Sequence, residues 1–127
     1  MSGRGTLAIL ALALTACATG PAPERDFVPG YPGLDYLPPE RVAGELLLGF
    51  EIARFEGCWF ETTREAAAQL DARAPEWRGR GPYRYRIEMI ARRAPEAEGR
   101  GFGHLGLAPC QVRASRILSI RRLQARR

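Results

Sequence analysis

Apolar and polar residues alternate in three stretches between Glu45 and Arg122, and this alternation predicts strands. In "ELLLGFEIARF", Leu46, Leu48, Phe50 and Ile52 fall on one side of an extended chain, and Leu47, Gly49, Glu51 and Ala53 on the other. Gly49 in that stretch marks a bend or a close approach of another backbone. "GCWFE" carries the pattern on past a break at Gly57. The clearest alternation is in "GPYRYRIEMIAR", where Tyr83, Tyr85, Ile87 and Met89 oppose Arg84, Arg86, Glu88 and Arg92. In "CQVRASRILSIRRL", Val112 and Ala114 alternate, but Ile117, Leu118 and Ile120 do not keep that phase. A bulge near Ser115–Arg116 would restore it.

One stretch has a different character. "TTREAAAQLDAR" is rich in good helix formers, and Pro75 ends it. Thr62 followed by Glu65 fits a capping box, in which each side chain satisfies a free backbone N–H of the first turn. Ala66 and Leu70 are expected on the buried face, with Trp77 covering the helix end. "RAPEAEGRG" reads as a loop, "FGHLGL" as a short strand broken by glycines, and Pro109 as a turn. The tail "QARR" is expected to fray.

The predicted order is strand, helix, then three strands. The first strand region, broken at Gly49 or Gly57, counts as two or three. With 127 residues there is room for one domain. The expected fold class is mainly β (α+β): a small curved antiparallel sheet or OB-like barrel, with one helix at about 63–74. Gly103-His104-Leu105-Gly106 before the final "ILSI" also resembles a pattern in small exported bacterial OB-like domains that carry no assigned activity. That resemblance covers about forty residues and brings no function with it.

Two segments precede the domain of residues 41–127. Residues 18–40 hold six of the ten prolines and three of the glycines. Proline fixes φ and removes a donor, so this stretch suits neither helix nor inner strand. As polyproline II its 23 residues reach about 70 Å, at ~3.1 Å each. Its first part, to about Asp26, reads as a flexible spacer. Phe27, Tyr31, Leu34, Tyr36 and Leu37 are more apolar than a spacer needs and are expected to pin the second part to the domain. A peptide ligand for a partner is the alternative.

The opening "MSGRGTLAILALALTAC" has Arg4 near its start, an apolar run from Leu7 to Leu14, then small residues. This is the layout of a secretory signal peptide, and the run is short of the ~20 residues that span a bilayer. Leu14-Thr15-Ala16-Cys17 resembles the lipobox of bacterial lipoproteins: an aliphatic residue, a small residue, Ala or Gly, then Cys. The resemblance implies cleavage of residues 1–16, a lipidated tether over 17–40, and lipid attachment at Cys17. Diacylglyceryl on the sulfur and a fatty acid such as palmitate on the new amino group would hold the chain to a membrane. Ala18 in place of Asp implies onward transfer to the outer membrane, facing the periplasm.

Charge changes the picture along the chain. All nineteen basic residues are Arg, and the net charge is +5. Residues 17–77 hold five arginines against eleven acids; residues 78–127 hold thirteen against three. The halves pair within one fold, or the second half meets an anionic partner. Candidate anion-binding residues are Arg84, Arg86, Arg92, Arg93, Arg121 and Arg122, tempered by Glu88 on the same strand face. Export excludes nucleic acid as the partner. An envelope protein, an anionic lipid headgroup or lipopolysaccharide phosphate fits instead.

With Cys17 lipidated, Cys58 and Cys110 remain. In an oxidising compartment they are expected to form a disulfide; two separated buried thiols are the alternative. His104 with these cysteines matches no metal-ligand spacing, so no metal or cofactor is expected. Glu45, Glu51, Glu56 and Glu61 read as a solvated edge, and no pair can be named acid and base. The expectation is a non-enzymatic lipoprotein acting as an interaction or envelope-structural module, or else a binding protein for an anionic ligand.

Overall fold

The computed structural model describes residues 26–31, 33–79, 81–96 and 101–125. The signal peptide, the Leu14–Cys17 motif and the first part of the tether lie outside them. Five strands and one helix follow in order: β1 (Glu40–Gly49), β2 (Ile52–Phe55), β3 (Cys58–Thr62), α1 (Arg64–Arg73), β4 (Tyr83–Arg93) and β5 (Gln111–Arg122). The sheet closes on itself in the order β1-β2-β3-β5-β4, a small OB-like barrel with one helix between β3 and β4. β3 and β5 run parallel, which departs from an all-antiparallel sheet; the remaining neighbours are antiparallel. The helical crossover between β3 and β4 makes that one parallel seam possible.

The first strand region is three strands. β1 ends at Gly49, whose Cα approaches Pro82 so closely that an added Cβ would lie 2.9 Å from the Pro82 Cα. The alternation therefore holds for Leu46 and Leu48, which are buried, and fails for Phe50 and Ile52, which are exposed in and after the turn. Between β2 and β3, Glu56 and Gly57 both take positive φ, 47° and 81°. That is the two-residue turn whose twist matches paired strands.

Tyr85, Ile87, Met89 and Ala91 of β4 face the core, as the alternation predicts. β5 slips register against β4 between Glu88 and Met89 and again between Ile90 and Ala91, leaving Leu118 and Ser115 as the extra residues. The bulges free backbone groups that α1 and β4 then satisfy. Gln69 Oε1 accepts from Ile117 N at 2.6 Å, and Arg73 donates to the carbonyls of Ile117 and Leu118 at 3.1 Å. Ser115 Oγ donates to the carbonyl of Ile90 at 3.2 Å. The helix cap is Thr63, not Thr62: its side chain accepts from Ala66 N at 3.2 Å. Thr62 is still in β3, paired with Ala114, and so cannot turn into the helix. Ala66 and Leu70 join the barrel core.

A second core lies outside the barrel. Val28, Tyr36, Phe102 and Ala108 are buried together, with Tyr31, Leu34 and Trp59 packed on them. Val28, Tyr31, Leu34 and Tyr36 on one side and Phe102 and Ala108 on the other thus cover Trp59 on β3. The rings of Tyr31 and Phe102 stack at 4.9 Å, and the Tyr31 hydroxyl donates to the Gly101 carbonyl. Tyr31, Leu34 and Tyr36 pin the second tether half to the domain, whereas Phe27 and Leu37, expected to do the same, stay exposed. "FGHLGL" is not a strand: one bridge, Phe102 with Ala108, closes a short 3-10 turn at His104–Gly106. Glycines at 103 and 106 with positive φ interrupt any ladder there.

Candidate functional site

β4 presents Arg84, Arg86 and Arg92 outward because its other side fills the barrel. Three of the six candidate arginines pair with acids of the chain. Arg84 Nε lies 2.6 Å from Glu45 Oε1, which raises the Arg84 pKa. Arg93 Nε lies 2.6 Å from Glu40 Oε1. Arg92 clamps the N-terminal segment: it donates to the carbonyls of Leu37 and Tyr36 at 2.9 Å and to Asp26 Oδ1 at 2.5 Å. These arginines pair acids of the first half with bases of the second, as one of the two readings of the charge asymmetry expected.

Arg86 and Arg121 are different. They stand directly opposite each other across β4 and β5, and both are exposed. Like charges at such a position have Cβ atoms ~5 Å apart and repel. The β1 neighbour of Arg86 is Glu45, already held by Arg84. Arg122 is next along β5, its guanidinium 4.3 Å from the centre of the Tyr83 ring. A cavity of about 180 Å³ is lined by Tyr83, Arg84, Arg122 and Leu123, and neither Arg86 nor Arg121 lines it. Two forked guanidiniums side by side match the oxygens of a phosphate or carboxylate. Sequence reasoning named all six arginines alike; only the cross-strand register separates this pair from those held by acids.

The remaining candidates are distributed elsewhere. Cys58 and Cys110 form a disulfide at the start of β3 and just before β5. His104 is exposed in the β4–β5 loop. Among the described residues no three His, Cys, Asp or Glu side chains gather to hold a metal ion. Of the four carboxylates, Glu45 holds Arg84, Glu56 accepts from the backbone N–H of Glu45 at 2.6 Å, and Glu61 accepts from the Tyr36 hydroxyl at 3.3 Å. Glu51 sits in the β1–β2 turn.

Two phenols are shifted. Burial pushes Tyr36 up to about 12, although the Gln111 side-chain N–H donated to its oxygen at 2.6 Å favours the phenolate. Burial, then the hydrogen bond to Glu76, raises Tyr85 further. Gln111 is the buried polar residue that sequence reading missed, since a lone Gln at a strand start carries no signal of its partner. A second cleft of about 220 Å³, between β3, α1 and Trp77, is mostly apolar, with Glu61 and Arg78 at its edge. The Asp71 carboxylate is held below the usual range by hydrogen bonds from Arg78 and Trp77.

No helix among the described residues is long and apolar enough to cross a membrane. No protein-family model, curated protein or solved structure matches the chain.

Proposed function

We propose that the chain is a lipid-anchored module of a bacterial cell envelope, facing the periplasm and most consistent with the outer membrane. It would act through interaction or envelope structure and not through catalysis. The observation that carries this is Leu14-Thr15-Ala16-Cys17 closing a short apolar leader. The Cys58–Cys110 disulfide supports it independently, because such bonds persist in oxidising compartments. Metabolic labelling with an alkyne fatty acid tests it. Wild type takes up the label and Cys17→Ser does not; equal labelling of both would overturn the anchor.

A second reading is favoured by one observation, the cross-strand pair Arg86 and Arg121, which shows no ion pair among the described residues. It makes this face a binding site for an anionic group: a lipid headgroup, a lipopolysaccharide phosphate or a soluble phosphate ester. Binding would weaken steeply with salt. Arg86→Ala or Arg121→Ala would lower affinity about tenfold or more, the usual worth of a charge-assisted hydrogen bond. Calorimetry with inorganic phosphate, and flotation with anionic vesicles, separates the sources. No binding to either at low salt leaves the interaction module as the better account.

A further inference from the structure

Six large apolar residues are exposed among the described residues, and four of them lie at one end of the barrel: Phe27, Leu37, Leu105 and Leu107. That end is defined by pairing. Arg93, ending β4, stands opposite Val112 at the start of β5, and Leu37 N donates to the Arg93 carbonyl at 2.8 Å. Phe50 and Ile52 are at the β1–β2 turn, the opposite end, where Leu48 pairs with Tyr83.

Leu105 and Leu107 are the most exposed of the four, at 77% and 69%. Leu105 also holds a positive φ of 57°, unfavourable for a residue with a side chain. The loop under them is nevertheless firmly built. Phe102 and Ala108 exchange two backbone hydrogen bonds, at 2.8 and 3.1 Å, and both are buried. Gly103 lies flat against the Trp59 ring, where an added Cβ would fall 2.1 Å from a ring carbon. The disulfide at Cys110 follows two residues after Ala108. A braced loop that holds two leucines in water is a preorganised apolar contact.

The length of chain outside the described residues says what it contacts. Eight residues, 18–25, separate Cys17 from Asp26. Fully extended, the nine steps from Cys17 to Asp26 reach about 32 Å, at ~3.6 Å each. Asp26 is held by Arg92 next to Arg93, at the same end as the leucines. On the reading that Cys17 carries the lipid, which this step rests on, the leucine end is confined to within that distance of the bilayer.

We infer that Leu105 and Leu107 form a membrane-contacting finger that dips into the leaflet holding the anchor. It orients the barrel with β5 pointing away from the surface. Arg86, seven residues from Arg93 along β4, and Arg121 opposite it would then sit ~23 Å from the leucine end, facing the periplasm. Among the described residues Asp26 pairs with Arg92 and Glu40 with Arg93 at this end, and the two leucines themselves carry no charge, so their insertion should respond little to salt.

The test uses the full protein extracted from membranes and reconstituted in phosphatidylcholine vesicles whose acyl chains carry bromine. Leu105→Trp and Leu107→Trp each place an indole on the finger, read against the wild-type emission of Trp59 and Trp77. Insertion predicts a shift of the introduced emission to shorter wavelength and its loss to bromine quenching, unchanged by salt. Solvent-like emission without quenching in both variants overturns the finger. The acyl mass is read on the same sample. Acylation without quenching refutes the finger and leaves the anchor; quenching without acylation refutes the anchor and leaves the finger.

Discussion

Removing the disulfide tests the structural account most sharply. Cys58 and Cys110 are 52 residues apart, and the bond closes that loop. In the chain-entropy model a loop of this length contributes about 4 kcal/mol, by limiting the unfolded chain. The site makes that contribution consequential. β3 has five residues and meets β5 through four register pairs, Trp59 with Gln111 to Thr62 with Ala114. This parallel seam closes the barrel between segments far apart in sequence, and the bridge stands at its first rung. A small domain has about 5–15 kcal/mol in total. Cys58→Ala/Cys110→Ala should therefore lower the melting temperature by about 15–30 °C. Urea unfolding of the oxidised wild type and the double variant gives the free energy directly. The slope with denaturant should rise in the variant, because its unfolded chain exposes more surface. A variant that melts within about 5 °C of wild type would refute the reasoning. A large loss with an unchanged slope would move the effect from the unfolded chain to native packing.

Other consequences are specific to single residues. Arg92→Ala should loosen residues 26–37, since it removes three bonds from one guanidinium while the Val28–Tyr36 cluster still holds them; limited proteolysis should cut in that segment faster than in wild type while β1–β5 stay intact. Gly103→Ala should cost about 3 kcal/mol, by forcing a Cβ into the Trp59 ring at a φ of 73°; urea unfolding measures it, and a neutral result would mean the loop is not braced there. The Tyr36 phenol keeps its proton up to about pH 12 in the fold but loses it near 10 when unfolded. The unfolded chain then binds fewer protons in that window, so stability falls between pH 10 and 12. In Tyr36→Phe that fall should shrink, as read by denaturation across the window.

The barrel was legible wherever a strand fills the core on one side. Tyr85, Ile87 and Met89 alternate with arginines because β4 is central, between β1 and β5, and half-buried along its length. The loss of phase at Ile117 is visible for the same reason: one bulge falls at Ser115, as expected, and a second at Leu118. Phe50 and Ile52 misled because alternation carries across a tight turn without marking it; Gly49 was noticed, but its close approach to Pro82 depends on a residue thirty-three positions away. The cap moved from Thr62 to Thr63 because β3 needed one more rung, and sequence spacing does not weigh tertiary pairing against a local motif. The disulfide followed from counting cysteines in a plausible compartment. The Arg86–Arg121 pair could not be singled out, since register across β4 and β5 includes two slips that no local pattern fixes. Leu105 and Leu107 read as a short strand broken by glycines, whereas Gly103 and Gly106 take positive φ and support a turn.

The central claim is that Cys17 is a lipid attachment point. Intact-mass and N-terminal peptide mass spectrometry of the protein extracted from its native membrane tests it most directly. The account predicts a chain that begins at Cys17, with diacylglyceryl on the sulfur and a fatty acid on the amino group. A chain that begins elsewhere, or that carries Cys17 as a free thiol or in a disulfide, would contradict it.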